Sequence, residues 1–175
     1  MSQLLTLFGS SRAAPLNALF PSSVIFDLDA TIPASYSSGQ LWKNLITAPA
    51  DGAAQSAYDF NLGASSSVTT DDPTFTGNTG SPSAYFSFDG GDYFSLAGTI
   101  TTFLNNLHKA TSHTLIMAIN HNEAASGDIG LFSTTDTYNT ANIGISYYAG
   151  WSSLFYRQRV TTTLVSATRS GISPA

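Results

Sequence analysis

Two aspartates separated by one residue are the first side chains whose spacing could support catalysis. Asp27 and Asp29 lie in the apolar run VIFDLD, and a strand would place both on one face. Carboxyl groups about 5 Å apart could act as nucleophile and acid in a retaining glycosidase. The chain has a single glutamate, Glu123, in a polar stretch, and no other pattern supports such chemistry. We therefore expect the protein not to be an enzyme.

A second acidic pair, Asp89 and Asp92, flanks two glycines. Their oxygens could contribute to a Ca²⁺ site, which needs about six to eight oxygen ligands. Alternatively, each aspartate accepts hydrogen bonds from the backbone of its own turn. We favour the turn and keep calcium as a weak candidate. His108, His113 and His121 lack metal-ligand spacing, so we expect no other metal and no organic cofactor.

Aromatic residues near Gly150 form a third candidate site. Tyr147, Tyr148 and Trp151 lie next to a predicted turn, where exposed rings could stack on a sugar. The competing role is core packing, which we assign to Trp42. These three residues are therefore the predicted glycan-stacking positions.

Composition excludes several classes of protein. Only 10% of the 175 residues are charged, against about 25% in ordinary soluble domains, and the net charge is −5. An acidic chain with so few basic residues is unsuited to binding a phosphate backbone, so no nucleic-acid partner is expected. There are no cysteines for disulfides or thiolate sites. No apolar run approaches the roughly 18 residues that a membrane span needs.

The N-terminal segment 1–23 is apolar but does not resemble a secretion signal. Its only cation, Arg12, follows the first apolar cluster instead of preceding it. Pro15 predicts a short helix over residues 16–20. We predict an extended, partly helical assembly arm that docks on another subunit. The alternatives are a segment that packs on its own domain and, third, a cleaved leader. The predicted docking residues are Leu4, Leu5, Leu7, Phe8, Leu16, Leu19 and Phe20.

The remainder, 24–175, is predicted to be one all-β domain, an antiparallel β-sandwich. Short segments of strand-forming residues alternate with polar turns, without a βαβ pattern. Asp89 to Asp92 is predicted to join two strands as a hairpin, and residues 98–108 to form a short helix. The strands are predicted at 24–29, 58–62, 74–76, 84–88, 93–96, 113–120, 129–133, 142–148, 152–158 and 160–165. The strand at 113–120 is the most apolar and is predicted to be central. The predicted core includes Phe86, Phe88, Tyr93, Leu115, Ile116, Met117 and Ile119.

Two segments resemble the concanavalin A-like, laminin G-like jelly-roll family found in bacteriophage and bacterial surface proteins. The first is IFDLDA at 25–30 with PASY at 33–36 and LWKNL at 41–45. The second is YFSFDGGDYF at 85–94, and the strand at 113–120 follows in the family's order. The family's later tryptophan–histidine strand pair and hairpin are not visible. The later strands are therefore divergent, supplied by neighbouring chains, or beyond the C-terminus of this sequence.

The resemblance implies a jelly-roll sandwich and a virion location. The leading hypothesis is a structural protein of a tailed bacteriophage, a head decoration, head fibre or tail fibre subunit. Such a protein is made in the host cytoplasm, contacts other virion proteins and its own copies, and displays a lectin-like sandwich. The alternatives are a carbohydrate-binding module that recognises a cell-surface glycan and, third, a glycan hydrolase.

Overall fold

The computed structural model describes residues 2–8, 23–98, 112–119, 129–134, 144–150, 153–160 and 163–170, with side chains described in 23–98, 114–119 and 130–134. The chain divides into two compact units, Met1–Ile119 and Asn120–Ala175. Among the described residues no helix is both long and apolar enough to cross a bilayer.

The first unit contains a three-stranded sheet in the order β2-β1-β8. Its strands are β1 (Ser2–Phe8), β2 (Val24–Asp29) and β8 (Ser112–Met117), and β1 runs parallel to both neighbours. All six residues of β2 are buried. Neither face of β2 is open to water, so its four apolar residues are buried together with Asp27 and Asp29.

Two small antiparallel sheets complete the first unit. One has the order β3-β4-β7, and the other pairs β5 with β6. A 3₁₀ helix over Gln55–Tyr58 precedes β4 directly. The strands are β3 (Leu41–Trp42), β4 (Phe60–Leu62), β5 (Thr74–Thr76), β6 (Tyr85–Ser87) and β7 (Phe94–Leu96).

The second unit contains a four-stranded antiparallel sheet in the order β12-β11-β10-β9. Each strand pairs with the strand next to it in sequence, so the sheet is a meander. Its strands are β9 (Ile129–Ser133), β10 (Gly144–Gly150), β11 (Ser153–Val160) and β12 (Thr163–Ser170).

Aromatic side chains form much of the packing in the first unit. Phe26 is fully buried, with its ring centroid 6.1 Å from that of Tyr58 and 5.8 Å from that of Phe60. A second group has centroids 4.7–5.5 Å apart, within the range for favourable aromatic pairs, and comprises Tyr36, Trp42, Phe75, Phe86 and Phe94. The buried Trp42 confirms its predicted core role.

The prediction of an all-β chain is confirmed, and most of its strand pairs are antiparallel. Two local predictions were wrong. Asp89 to Asp92 does not close a hairpin, because β6 pairs with β5 and β7 pairs with β4. Similarly, β1 and not β8 is the middle strand of its described sheet. The predicted helix at 98–108 lies outside the described residues except for Gly98.

The N-terminal segment pairs within its own chain where the structure describes it. Leu4, Leu5, Leu7 and Phe8 belong to β1, which has β2 on one side and β8 on the other. This arrangement fits the alternative in which the segment packs on its own domain, and an extended arm is not confirmed. Residues 9–22, with Leu16, Leu19, Phe20 and the predicted short helix, lie outside the described residues.

Three predicted core residues are instead exposed. Phe88 is 51% exposed, Tyr93 44% and Ile119 56%. Phe88 lies at the margin of the second aromatic group, where its ring meets Phe94 edge-on at 5.3 Å. Phe86 is partly buried within that group, as predicted. Alternation identified the two faces of these strands but not which face is buried.

The two phenylalanines Phe26 and Phe88 test this distribution of the core. Phe26→Ala removes a fully buried ring and should lower the free energy of unfolding by about 3–5 kcal/mol. Phe88→Ala should cost about 1 kcal/mol or less, because half of the ring is already exposed. Urea unfolding of the full chain measures both values. Equal losses would contradict the burial described here.

Candidate functional site

Asn44 is fully buried and connects three segments of the first unit. Its Oδ1 accepts the backbone N–H groups of Asp27 at 2.9 Å and Ile46 at 3.1 Å. Its Nδ2 donates to the carbonyl oxygens of Ile25, Ile46 and Gln55 at 3.3–3.4 Å. One side-chain amide therefore joins β2, the loop after β3 and the 3₁₀ helix.

The backbone of Asn44 extends these contacts to the start of β4. Its N–H donates to Oδ1 of Asp59 at 2.7 Å, and its carbonyl accepts from Nε2 of Gln55 at 2.5 Å. We call these contacts, together with those of the Asn44 side chain, the Asn44 network. It satisfies buried backbone groups that pair with no neighbouring strand, which would otherwise be costly.

The weak catalytic candidates Asp27 and Asp29 are next to this network and fully buried. Oδ1 of Asp29 accepts the N–H of Thr31 at 2.8 Å and its hydroxyl at 2.7 Å. Ser35 Oγ donates to the carbonyl of Lys43 at 2.7 Å and accepts the N–H of Asp29 at 3.1 Å. These contacts fix the turn after β2. Their burial leaves neither carboxylate on a surface that a polysaccharide could reach.

Asp59 is a buried carboxylate beside an open groove. The residue is 8% exposed, and burial raises the pKa of its carboxyl group. The hydrogen bond from Asn44 and the charge of Lys43 oppose this rise in pKa. The groove has a volume of about 480 Å³ and is lined by Leu41, Ala54, Ser56, Ala57, Asp59, Ala97 and Gly98. Sequence reasoning missed Asp59, since alternation in YDFNL predicts an exposed polar face.

A second acidic feature is the loop that contains Asp71 and Asp72. Asp71 Oδ2 accepts the N–H of Ala64 at 3.0 Å, and the Thr69 hydroxyl donates to both carboxylates. Hydrogen bonds from Thr69 and from the phenol of Tyr93 lower the pKa of Asp71. The bond to Asp71 raises the pKa of Tyr93. The two carboxylates thus stabilise the conformation of this loop.

The weak calcium candidates Asp89 and Asp92 accept hydrogen bonds within their turn. Asp89 Oδ1 accepts the N–H of Gly91 at 3.0 Å, and Asp92 Oδ2 accepts the N–H of Asp89 at 2.9 Å. Gly90 between them has φ +101°, a conformation that favours glycine. This is the capping role expected of turn aspartates. In the part of the chain that the structure describes, no cluster of three or more His, Cys, Asp or Glu could hold a metal ion.

The side chains of the predicted glycan-stacking residues lie outside the part of the chain that the structure describes. Tyr147 and Tyr148 belong to β10, whose backbone alone is described, and Trp151 lies outside the described residues. Among the first-unit residues whose side chains are described, the exposed aromatic ones are Tyr85, Phe88 and Tyr93. The interaction of the Tyr93 phenol with Asp71 raises the pKa of Tyr93. Among the described residues of this unit, the groove beside Asp59 is therefore a concave candidate site.

Comparison with protein-family models, curated proteins and solved structures finds no match.

The Asn44 network predicts a large effect of one substitution. Asn44→Ala removes the acceptor of two buried N–H groups, and an unsatisfied buried group costs about 1–3 kcal/mol. We expect a loss of at least about 2–4 kcal/mol in the free energy of unfolding. Asn61→Ala in β4 is the matched control, since Asn61 is only partly buried. Comparable losses for both variants would contradict the network's role.

The raised pKa of Asp59 predicts the pH dependence of an isosteric variant. Asp59→Asn keeps an acceptor for the N–H of Asn44 but removes the buried charge. With a folded-state pKa above the unfolded value, wild type loses stability relative to the variant as pH rises through the folded pKa. Asp59→Asn should thus melt at a higher temperature at neutral pH, and the gap should close below the unfolded pKa. A wild type more stable at neutral pH would contradict burial as the dominant cause.

Proposed function

We propose that this protein is a non-catalytic structural component of a tailed-bacteriophage virion, a head decoration or fibre subunit that displays a glycan-binding β domain. The observation that supports the proposal is the position of the family-like residues. Asp27, Asp29, Ser35 and Asn44, which belong to the resembling segments, are all fully buried and form the hydrogen bonds around β2. The resemblance therefore rests on residues with a structural role, which is what a shared fold requires.

The same residues favour display over hydrolysis. A retaining glycosidase needs two carboxyl groups that reach the substrate, whereas Asp27 and Asp29 have no exposed surface. The low content of charged residues, 10%, suits a chain that contacts other virion proteins and its own copies through uncharged surfaces. Because β1 pairs within its own sheet, this proposal does not require Leu4 to Phe8 to dock elsewhere.

Particle composition tests the virion assignment. An antibody raised against the purified chain should label intact particles of the encoding phage in electron micrographs, and the chain should co-purify with them in a density gradient. An unrelated host protein of similar size serves as the control for adsorption. Finding the chain only in the soluble lysate would contradict the proposal.

Glycan binding is tested separately from particle location. The full chain, displayed on a glycan array, should bind a subset of bacterial surface glycans and should release no sugar from them. Binding by a chain that is absent from particles would favour the alternative of a free carbohydrate-binding module. Cleavage of any glycan would contradict the non-catalytic assignment.

A further inference from the structure

The groove beside Asp59 has walls of unusually small residues. Ala54, Ser56, Ala57, Ala97 and Gly98 line it together with Leu41 and Asp59. Its volume of about 480 Å³ falls in the range of about 300–1,000 Å³ that is typical of small-molecule sites. Small side chains leave room for a ligand beside Asp59, which is one of the lining residues.

The negative charge of Asp59 is not required by its structural contact. Oδ1 accepts the N–H of Asn44 at 2.7 Å, and an asparagine oxygen could accept the same bond. Among the described residues Oδ2 has no hydrogen-bond partner. Burial meanwhile disfavours the ionised form, as the raised pKa of this carboxyl group reflects. A costly charge that the fold does not need indicates a role in binding.

The carboxylate that lines the groove favours a cationic ligand. Asp59 is the charged residue among the lining residues, and the exposed Lys43 is near enough for its charge to oppose the rise in the pKa of Asp59 only in part. The polar side chains that line the groove are those of Ser56 and Asp59, both able to accept hydrogen bonds. An ammonium group donates to a carboxylate in a charge-assisted bond about twice as strong as a neutral one. An acidic sugar would be repelled.

We propose that this groove binds a sugar residue with a free primary amine, whose ammonium group donates to Oδ2 of Asp59 and whose ring lies against the small residues of the groove walls. The inference rests on the proposed glycan binding and names its site and sugar class. Ser56 is positioned on the groove to accept a further hydrogen bond from the ligand.

Titration of the full chain with three monosaccharides tests the site. Glucosamine is the probe, N-acetylglucosamine lacks the charge and glucose lacks the nitrogen; binding is followed by NMR at physiological salt and near-neutral pH. Glucosamine should shift the amide signals of Ala57 and Gly98 and should bind at least about tenfold more tightly than the other two sugars, a difference of about 1.4 kcal/mol.

Two isosteric variants separate the site from general attraction of cations. Asp59→Asn should weaken glucosamine binding by about tenfold or more. Asp89→Asn removes the same charge from an exposed turn that does not line the groove and should change the affinity by less than about twofold, as screened surface charges do. Equal weakening by both variants would overturn the inference, as would unchanged binding by Asp59→Asn or equal affinity for glucose.

The glycan array distinguishes failure of this inference from failure of the proposed function. Array binding that persists unchanged in Asp59→Asn would leave glycan display standing and remove the groove as its site. A wild-type chain that binds neither array glycans nor glucosamine would contradict both. Loss of array binding to amine-bearing glycans in Asp59→Asn alone would support both.

Discussion

The buried amide of Asn44 is the interaction on which the first unit depends. Asparagine supplies an acceptor and two donors from one small planar group, and here both ends are used by backbone groups of β2, the loop after β3 and the 3₁₀ helix. These segments do not pair with one another as neighbouring strands of a sheet. A residue that bonds their peptide groups thus replaces the pairing that a regular sheet would provide. An aspartate would keep the acceptors, lose the donors and add a buried charge beside Asp27 and Asp59.

The same constraint explains the two contrasting aspartates near the network. Asp29 receives both the N–H and the hydroxyl of Thr31 on one oxygen, so its turn needs a strong acceptor at that position. Asp59 receives a single N–H, and burial raises its pKa. Burial of a carboxylate costs least where several donors surround it. The hydrogen bonds that Asp29 accepts therefore account for a carboxylate at that position. The single hydrogen bond that Asp59 accepts would be satisfied equally well by a neutral acceptor.

Local patterns predicted the strands better than their partners. Val24–Asp29 and Thr74–Thr76 form strands at the predicted residues because their side chains suit extended backbone wherever it lies. Pairing depends on distant segments, so the turn at Asp89 to Asp92 wrongly predicted a hairpin, and the parallel position of β1 had no local signal. Period-two alternation does not determine which face of a strand is buried. Phe88 is exposed and Asp59 is buried, which is the opposite of what the sequence predicted. The groove could not be predicted from the sequence either, because the small residues that line it form no distinctive sequence pattern.

Sequence separation finally distinguishes Asp59 from the other turn and loop aspartates of the first unit. Asp71, Asp72, Asp89 and Asp92 accept backbone N–H groups from residues two to seven positions away, as local turns require. Asp59 accepts an N–H from a residue fifteen positions away. This long-range contact fixes one oxygen of the Asp59 carboxylate, and Asp59 is one of the residues that line the groove. For the binding proposed at this groove, preorganisation of this kind would reduce the ordering cost, because the acceptor is in place before the ligand arrives.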